Sequence, residues 1–406
     1  MRILKIIPQA FYTPRGTPLS AYHRARELIA QGHRVDILAY GLGAPPPGLD
    51  ARVYRARGPH FTRHLPAGPS AIKIWLDVLL LIRLVGLLCR RRYDAIYAHE
   101  EAALLARAAG AIFRIPYIYD MHSSLPLQIT DWNFSRNPRV VALFRWIERT
   151  CVRKACAVVA ISPAVARAAC RAWPDARCVV LPNHFELEGA PAASEIVAVR
   201  ERHGIAPEDK LIVYTGSFVA LQALDLLLQA LPRILESVPT ARLLLVGGEP
   251  TQIGSLRAQA ERLGVAGRVI LERARPQAEM PAYLAAADVL VSPRVQGINP
   301  PGKLLSYLGA ARPVVATDTL VHNQLLTPEC AILTSPDAAG FAEGVVSALT
   351  DAALSARVTE GARNTLSRLC SKSLRAAAYE EILEAARNAG RSRRKRAARL
   401  LSQHRP

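Results

Sequence analysis

The chain has 406 residues, half of them hydrophobic, and a formal net charge of +19 at pH 7. That length exceeds what one hydrophobic core supports, so two domains are expected, each large enough to bury a core without metals or disulfides. The composition excludes a chain that cannot fold, and the excess of positive charge points to a polyanion, an anionic bilayer or a phosphorylated substrate as partner.

Seven lysines stand against 45 arginines, so a lysine inside a suspected site is conspicuous. The seven cysteines are an odd number without C-x-x-C spacing. They read as small buried residues in a reducing compartment, which implies a cytoplasmic location. The first stretch, MRILKIIPQAF, is too short in its apolar part for a secretory leader and reads as a first buried strand, Ile3 to Ile7. A loop with Gly16 and Thr17 follows, then a helix with Leu19, Tyr22, Ala25, Leu28 and Ile29 on one face. Gly32 stands where a helix end favours a left-handed residue, and Val35 to Leu38 is the next strand.

Ile74 to Cys89, IWLDVLLLIRLVGLLC, is interrupted by Asp77 and Arg83 and followed by Arg90, Arg91 and Arg92. It reads either as a core helix before a basic turn or as a membrane-surface helix, and falls short of a spanning segment. Strands are then expected at Ala95 to Ala98, Tyr117 to Tyr119, Ala157 to Ile161 and Cys178 to Leu181, ending near His99, His122, Ser162 and Asn183. On a helix from about Pro138, Arg145, Arg149 and Arg153 recur every four residues. An anionic lipid head group or a polyprenyl diphosphate explains this stripe, and so does a solvated face with Glu148 nearby.

Residues 189–207 are rich in Gly, Pro, Ala and charge and are expected to be a linker between residues 1–188 and 208–372. The strand and helix rhythm then restarts: strands from Leu211, Arg242, Val269, Val289 and Pro313, with helices near Gln222 to Leu235, Pro276 to Ala286 and Ala338 to Leu349. A last amphipathic helix, 373–389, is expected to pack back on the first domain, ahead of a basic tail, 390–406. That tail lacks interleaved aromatics, so no nucleic acid is expected as partner. The fold class is α/β, two doubly wound parallel-sheet domains with their strand ends facing an interdomain cleft.

Several stretches in order carry a family resemblance. They are PRGTPLSAYHRARELIAQGHRVDIL at 14–38, DAIYAHE at 94–100, VLPNHFE at 180–186, YTGSFVALQALDLLLQA at 214–230 and LLLVGGEP at 243–250. From the first residue to about Ala389 the sequence resembles family 4 of the retaining nucleotide-sugar glycosyltransferases, with two Rossmann-like domains in the GT-B fold. The resemblance implies transfer of a sugar from a nucleotide diphosphate to a glycan or a polyprenyl- or lipid-linked acceptor, with a peripheral position on an anionic membrane as a further expectation. The leaving diphosphate needs positive charge or backbone N–H groups around it. With no D-x-D pair in the chain, no metal or other cofactor is expected.

The resemblance also places the site. His122 matches a histidine at the reacting centre and is the candidate catalytic residue. Thr17, His99, Asp120, Arg145 and Arg149 are acceptor-side candidates, with a structural role the alternative for His99 and Asp120. Gly16, Gly216, Ser217, Gln222, Gly247, Arg275, Arg294, Asn299, Lys303 and Ser306 are expected around the donor. Here the sequence departs from the family. Ser217 and Gln222 replace its usual Arg and Lys on the diphosphate, and both usual glutamates are missing from the loop after Ser292. Lys303 is expected to take the diphosphate, Asn299 a sugar hydroxyl and Ser306 a ribose hydroxyl. The alternatives are a sugar-nucleotide epimerase of the same fold and a non-catalytic binding subunit. A dehydrogenase is disfavoured because no G-x-G-x-x-G follows the first strand.

Overall fold

The computed structural model describes residues 1–12, 16–56, 58, 71–131, 137–183, 190–297 and 300–402. The chain divides into two compact units, one of Met1–His184 with Lys372–Pro406, the other of Phe185–Ser371.

The first unit begins with β1 (Arg2–Ile7), α1 (Gly16–Ala30), β2 (Arg34–Tyr40), β3 (Arg52–Ala56) and α2 (Ala71–Arg90). It continues through β4 (Ala95–His99), α3 (Ala102–Ile112), β5 (Tyr117–Met121), α4 (Leu125–Asp131) and α5 (Pro138–Lys154) to β6 (Ala157–Ala160), α6 (Pro163–Ala172) and β7 (Cys178–Val180). The seven strands form one parallel sheet in the order β3-β2-β1-β4-β5-β6-β7. The chain reverses its direction of travel between β1 and β4, where ligands of such sheets bind.

Strand periodicity sorts this unit's core. Leu4, Ile6, Ile96 and Tyr119 point to the face covered by α2, α3, α5 and α6, whereas Ile3, Ile7, Tyr97 and Ile118 point to the other face. Gly32, at φ 81°, supplies the left-handed turn after α1, a conformation glycine adopts without a Cβ penalty.

The second unit holds α7 (Ala193–Arg202), β8 (Lys210–Thr215), α8 (Leu224–Ser237), β9 (Ala241–Gly248), α9 (Pro250–Arg262), β10 (Val269–Arg273), α10 (Met280–Ala285) and β11 (Val289–Ser292). After these come α11 (Lys303–Gly309), β12 (Val314–Thr317), α12 (Leu320–Asn323), β13 (Ile332–Thr334), α13 (Ala338–Thr350) and α14 (Ala352–Leu369). Its parallel sheet runs β10-β9-β8-β11-β12-β13, with the switch between β8 and β11. Helices α8, α9 and α13 cover one face, and α7, α10, α11 and α14 the other.

The expected linker at 189–207 is corrected by α7. This helix belongs to the second unit because Val199 and Ile205 enter its core. Arg200 also donates to the carbonyls of Ala286, Ala206 and Asp209 at 3.0, 3.1 and 2.7 Å. The expected break between a helix and a basic tail at 390 is absent as well. A single helix, α15, runs Lys372–Ser402. Its Tyr379, Ile382, Leu383 and Ala386 are buried in the first unit's core. Arg375 there clamps Glu27 of α1 through two bonds of 2.6 and 2.8 Å, the bidentate geometry that suits guanidinium and carboxylate.

Helix α2 fits neither expectation alone. Leu76, Leu80, Leu84 and Leu87 are buried against the sheet, while Ile74, Trp75, Val78 and Ile82 are exposed.

Candidate functional site

In the first unit, the residues expected at the strand ends meet in one buried cluster. His99 ends β4, Asp120 is its neighbour in register on β5, and His122 follows β5 directly. Asp120 has His99 Nδ1 at 3.2 Å and His122 Nε2 at 3.3 Å, and the two imidazole rings meet edge-on at 4.2 Å between centroids. A carboxylate only accepts, so it orients the Nδ1–H of His99 toward itself, while its other oxygen faces His122 Nε2. Two residues that sequence reasoning missed complete the cluster. Lys5 of β1 and Arg24 of α1, both fully buried, lie 3.4 and 3.6 Å from Asp120. Lys5 also stands 4.0 Å over the ring of Tyr97, its register partner. Arg24 reaches on to the Leu181 carbonyl at 2.7 Å, tying α1 to the chain just past β7.

The protonation states follow from this packing. Burial alone pushes the Asp120 carboxyl up, but Arg24, Lys5 and His122 outweigh it and hold the group well below the usual carboxylate range. Burial, aided by Arg24, draws Lys5 down to about 8 against the opposing pull of Asp120. Burial and the facing His122 lower His99 to about 3, and burial lowers His122 too despite Asp120. Both imidazoles are therefore neutral at pH 7, beside an ionised carboxylate. His99, Asp120 and His122 have ligand-type atoms within 4.8 Å of one another. The donor set fits a metal poorly, because Lys5 and Arg24 already occupy the one carboxylate and repel a further cation.

Gly16 opens α1, the helix that carries Arg24, with Thr17 half-buried in its first turn. Residues 13–15 of the same loop lie outside the described residues. Glu100, which follows His99, has φ 51°, a left-handed backbone that for glutamate stores strain at the edge of the site. Arg145 and Arg149 do not join the cluster. They are exposed on α5, where Arg149 and Arg153 lie over the Trp173 ring at 5.7 and 5.4 Å.

In the second unit the switch point carries the other group. Gly216 follows β8 at φ 131° and Gly247 is the next-to-last residue of β9 at φ 125°. A Cβ on Gly247 would sit 2.3 Å from the Gly216 carbonyl oxygen, so the two loops touch through backbone. Lys303, the first residue of α11, places Nζ 3.4 Å from the centre of the Tyr214 ring and donates to Gln222 Oε1 at 3.3 Å. Tyr214 in turn donates to the Ser217 carbonyl at 2.9 Å. Gly216, Ser217, Gln222 and Lys303 thus form one neighbourhood, with Ser306 half-buried one turn further along α11. Burial, with Arg294 adding repulsion, holds the Lys303 ammonium well below the ordinary lysine range.

Arg275 does not belong to this group. It follows the edge strand β10, two strands from β8, and its guanidinium is held by Glu279 at 2.8 Å and Glu272 at 3.9 Å. Asn299 lies outside the described residues.

A buried histidine that sequence reasoning missed anchors the loop bearing Arg294. His322 Nδ1 lies 2.9 Å from the Thr317 carbonyl and Nε2 lies 2.9 Å from Ser292 Oγ. A carbonyl only accepts, so the proton sits on Nδ1 and Ser292 donates to Nε2. Burial lowers His322 to about 4, which keeps it neutral for this task. The Thr317 hydroxyl then donates to the Arg294 carbonyl at 2.6 Å, pinning the chain after β11 to the end of β12. Its signal in the sequence is the histidine in TDTLVHNQLL, just after the fifth strand of the unit.

Comparison with known proteins bears on both units. Residues 15–184 match the family described as glycosyl transferase 4-like domain, and residues 209–351 match glycosyl transferases group 1. A phosphatidyl-myo-inositol mannosyltransferase of Mycobacterium tuberculosis is 24% identical over 379 residues, 88% of this chain and 90% of that protein. A GDP-mannose-dependent alpha-(1-6)-phosphatidylinositol monomannoside mannosyltransferase of Mycolicibacterium smegmatis is 35% identical over 133 residues, 31% of this chain. That match spans about a third of the relative, 34% of its length. Among solved structures, Anabaena HepE in complex with UDP-glucose superposes with a TM-score of 0.74 at 20% identity, covering 95% of this chain and all of that one. WaaG, a glycosyltransferase of lipopolysaccharide biosynthesis, gives 0.69 at 17% identity, over 94% of this chain and 98% of that one. These two likenesses place the fold among GT-B structures.

Proposed function

Because the chain belongs to the family-4 glycosyltransferases, we propose that it moves a sugar from a nucleotide diphosphate to a lipid-linked or glycan acceptor, with retention at the anomeric carbon. The observation that carries this reading is Lys303, which rests on Tyr214 and Gln222 at the switch point of the second sheet.

An ammonium in that position meets the diphosphate of a bound donor. With Arg294 it stabilises the charge that grows on the leaving phosphate as the glycosidic bond breaks. The Gly216 N–H already donates to the Val246 carbonyl at 2.8 Å, so the next N–H, that of Ser217, reaches the same oxygens past a residue without a side chain. In this reading the usual Arg and Lys are replaced by one lysine arriving from α11, and Gln222 holds it in place. The diphosphate is thereby neutralised by side chains, and no metal is required.

Neutral His122 hydrogen-bonds a hydroxyl of the donor sugar, and Asp120 holds the ring. The leaving phosphate takes the acceptor's proton, so no protein nucleophile is assigned. A nucleotide-sugar donor is supported by the UDP-glucose bound in HepE. A lipid-linked acceptor is supported by the two phosphatidylinositol mannosyltransferases among the relatives.

A thermal-shift screen with UDP, GDP and ADP sugars, in chelator and again with added divalent cations, tests the donor side. A donor at a hundred times its dissociation constant adds about 2.7 kcal/mol of stability. The reading predicts a shift with one nucleotide series, undiminished by chelator. No shift with any of them would refute it.

A further inference from the structure

The described residues hold no helix long and apolar enough to cross a membrane, yet α2 is apolar on two opposite sides. Its inner side fills the first unit's core. Its outer side presents Ile74, Trp75 and Ile82 at 66, 49 and 65% exposure, and Val78 and Val85 are exposed as well. A helix packed on a soluble sheet normally turns polar residues outward, and a contiguous apolar patch of this kind marks a contact surface.

Helices α2, α3 and α5 lie side by side on the same face of the sheet. The outer side of α5 adds Leu143 and Trp146, 52 and 58% exposed, among Arg139, Arg145 and Arg149. Each of the two helices contains a single acidic residue, and both of these are engaged. Asp77 of α2 accepts from the Tyr40 hydroxyl of β2 at 2.6 Å. Glu148 of α5 is buried and accepts from Ser124 Oγ at 3.1 Å and the Leu125 N–H at 2.7 Å. The outer faces thus combine aliphatic side chains, two tryptophans and arginines, including Arg83 and Arg90 of α2, without a carboxylate.

We propose that the outer faces of α2 and α5 form a docking surface for an anionic lipid bilayer. A protein partner buries apolar residues equally well, but the absence of acid beside so many arginines, within a chain of net charge +19, suits a negatively charged plane. Tryptophan and arginine flanking an aliphatic patch is also the composition that settles at the headgroup boundary. As a means of reaching an acceptor, the bilayer rests on the lipid-linked reading above. As a surface, it stands on the exposed residues alone.

The test is co-sedimentation of the full chain with vesicles of phosphatidylcholine, with and without phosphatidylglycerol, none containing an acceptor lipid. The wild type is expected to bind the anionic vesicles, with a blue shift of tryptophan emission. Arg83→Gln and Arg90→Gln are each expected to lower partitioning about fivefold, since a basic residue near such a surface contributes about 1 kcal/mol. Ile74→Ser with Ile82→Ser should abolish the binding and leave donor hydrolysis in solution unchanged, which separates this proposal from the catalytic one. The proposal is overturned if the wild type ignores anionic vesicles or if the serine variant binds as well as wild type. It is equally overturned if that variant dissolves a dimer, which would make the face a contact between copies of the chain.

Discussion

Replacing Lys303 by alanine removes the ammonium that the structure places against Tyr214 and Gln222 beside Gly216. A hydrogen bond from a charged donor contributes about 1.5–3 kcal/mol, so the variant is expected to bind UDP or GDP about 10- to 150-fold more weakly. The pH dependence gives a second readout. Burial and Arg294 hold the ammonium well below the ordinary lysine range. A diphosphate raises that pKa again, so binding takes up a proton. Affinity is then constant at pH values below the lowered pKa and falls as pH rises above it. Titration calorimetry in two buffers of different ionisation heat measures the affinity and the proton uptake together. Unchanged affinity in Lys303→Ala, with no proton exchanged by the wild type, would return this lysine to a structural role. A urea melt of the variant checks that its fold is intact.

Three further outcomes follow from the packing. Asp120→Asn leaves Lys5 and Arg24 buried without their carboxylate and is expected to cost about 3–5 kcal/mol in urea unfolding; adding Lys5→Met should recover part of it. His99 is neutral in the folded chain, with a pKa of about 3, whereas the unfolded chain protonates it near the ordinary value. The unfolded state thus binds the extra proton, and stability falls as pH drops from the ordinary histidine value toward 3; His99→Gln should flatten that slope in melts at stepped pH. Gly247→Ala forces a Cβ against the Gly216 carbonyl at a backbone φ of 125°, and should lower both the melting temperature and the affinity for the donor.

The regular parts of the fold were legible because a buried parallel strand is a short apolar run and its helix shows its own period. Gly32 was legible because a helix end in the left-handed region favours a residue without a Cβ, whereas Gly216 was placed by the family resemblance. The strands β3 (RVYRA) and β13 (ILT) escaped, one because arginines interrupt its pattern and the other because three residues carry no period. Helix α7 hid in a stretch whose alanines and prolines read as a linker, although Glu195 reaching back to the Ala192 N–H at 2.8 Å is a helix-start signal.

Within the site, His99, Asp120 and His122 stood out as polar residues at strand ends. Lys5 and Arg24 were passed over because each sits inside an apolar pattern and was read by its neighbours. A charged residue at a core position of a buried strand was itself the signal, since it requires a partner. For Lys303 the sequence supplied the residue, but only the fold brings it to Gln222, 81 positions earlier.

The most direct test of sugar transfer is turnover by the purified chain. It is incubated with labelled nucleotide sugars and a lipid extract, and nucleotide release, label transfer and the anomeric configuration of the product are followed. The account predicts transfer from one donor with configuration retained, reduced at least a hundredfold in His122→Ala, about the scale of losing one positioned catalytic group. A folded wild-type chain that turns over no donor, or a product of inverted configuration, would contradict it.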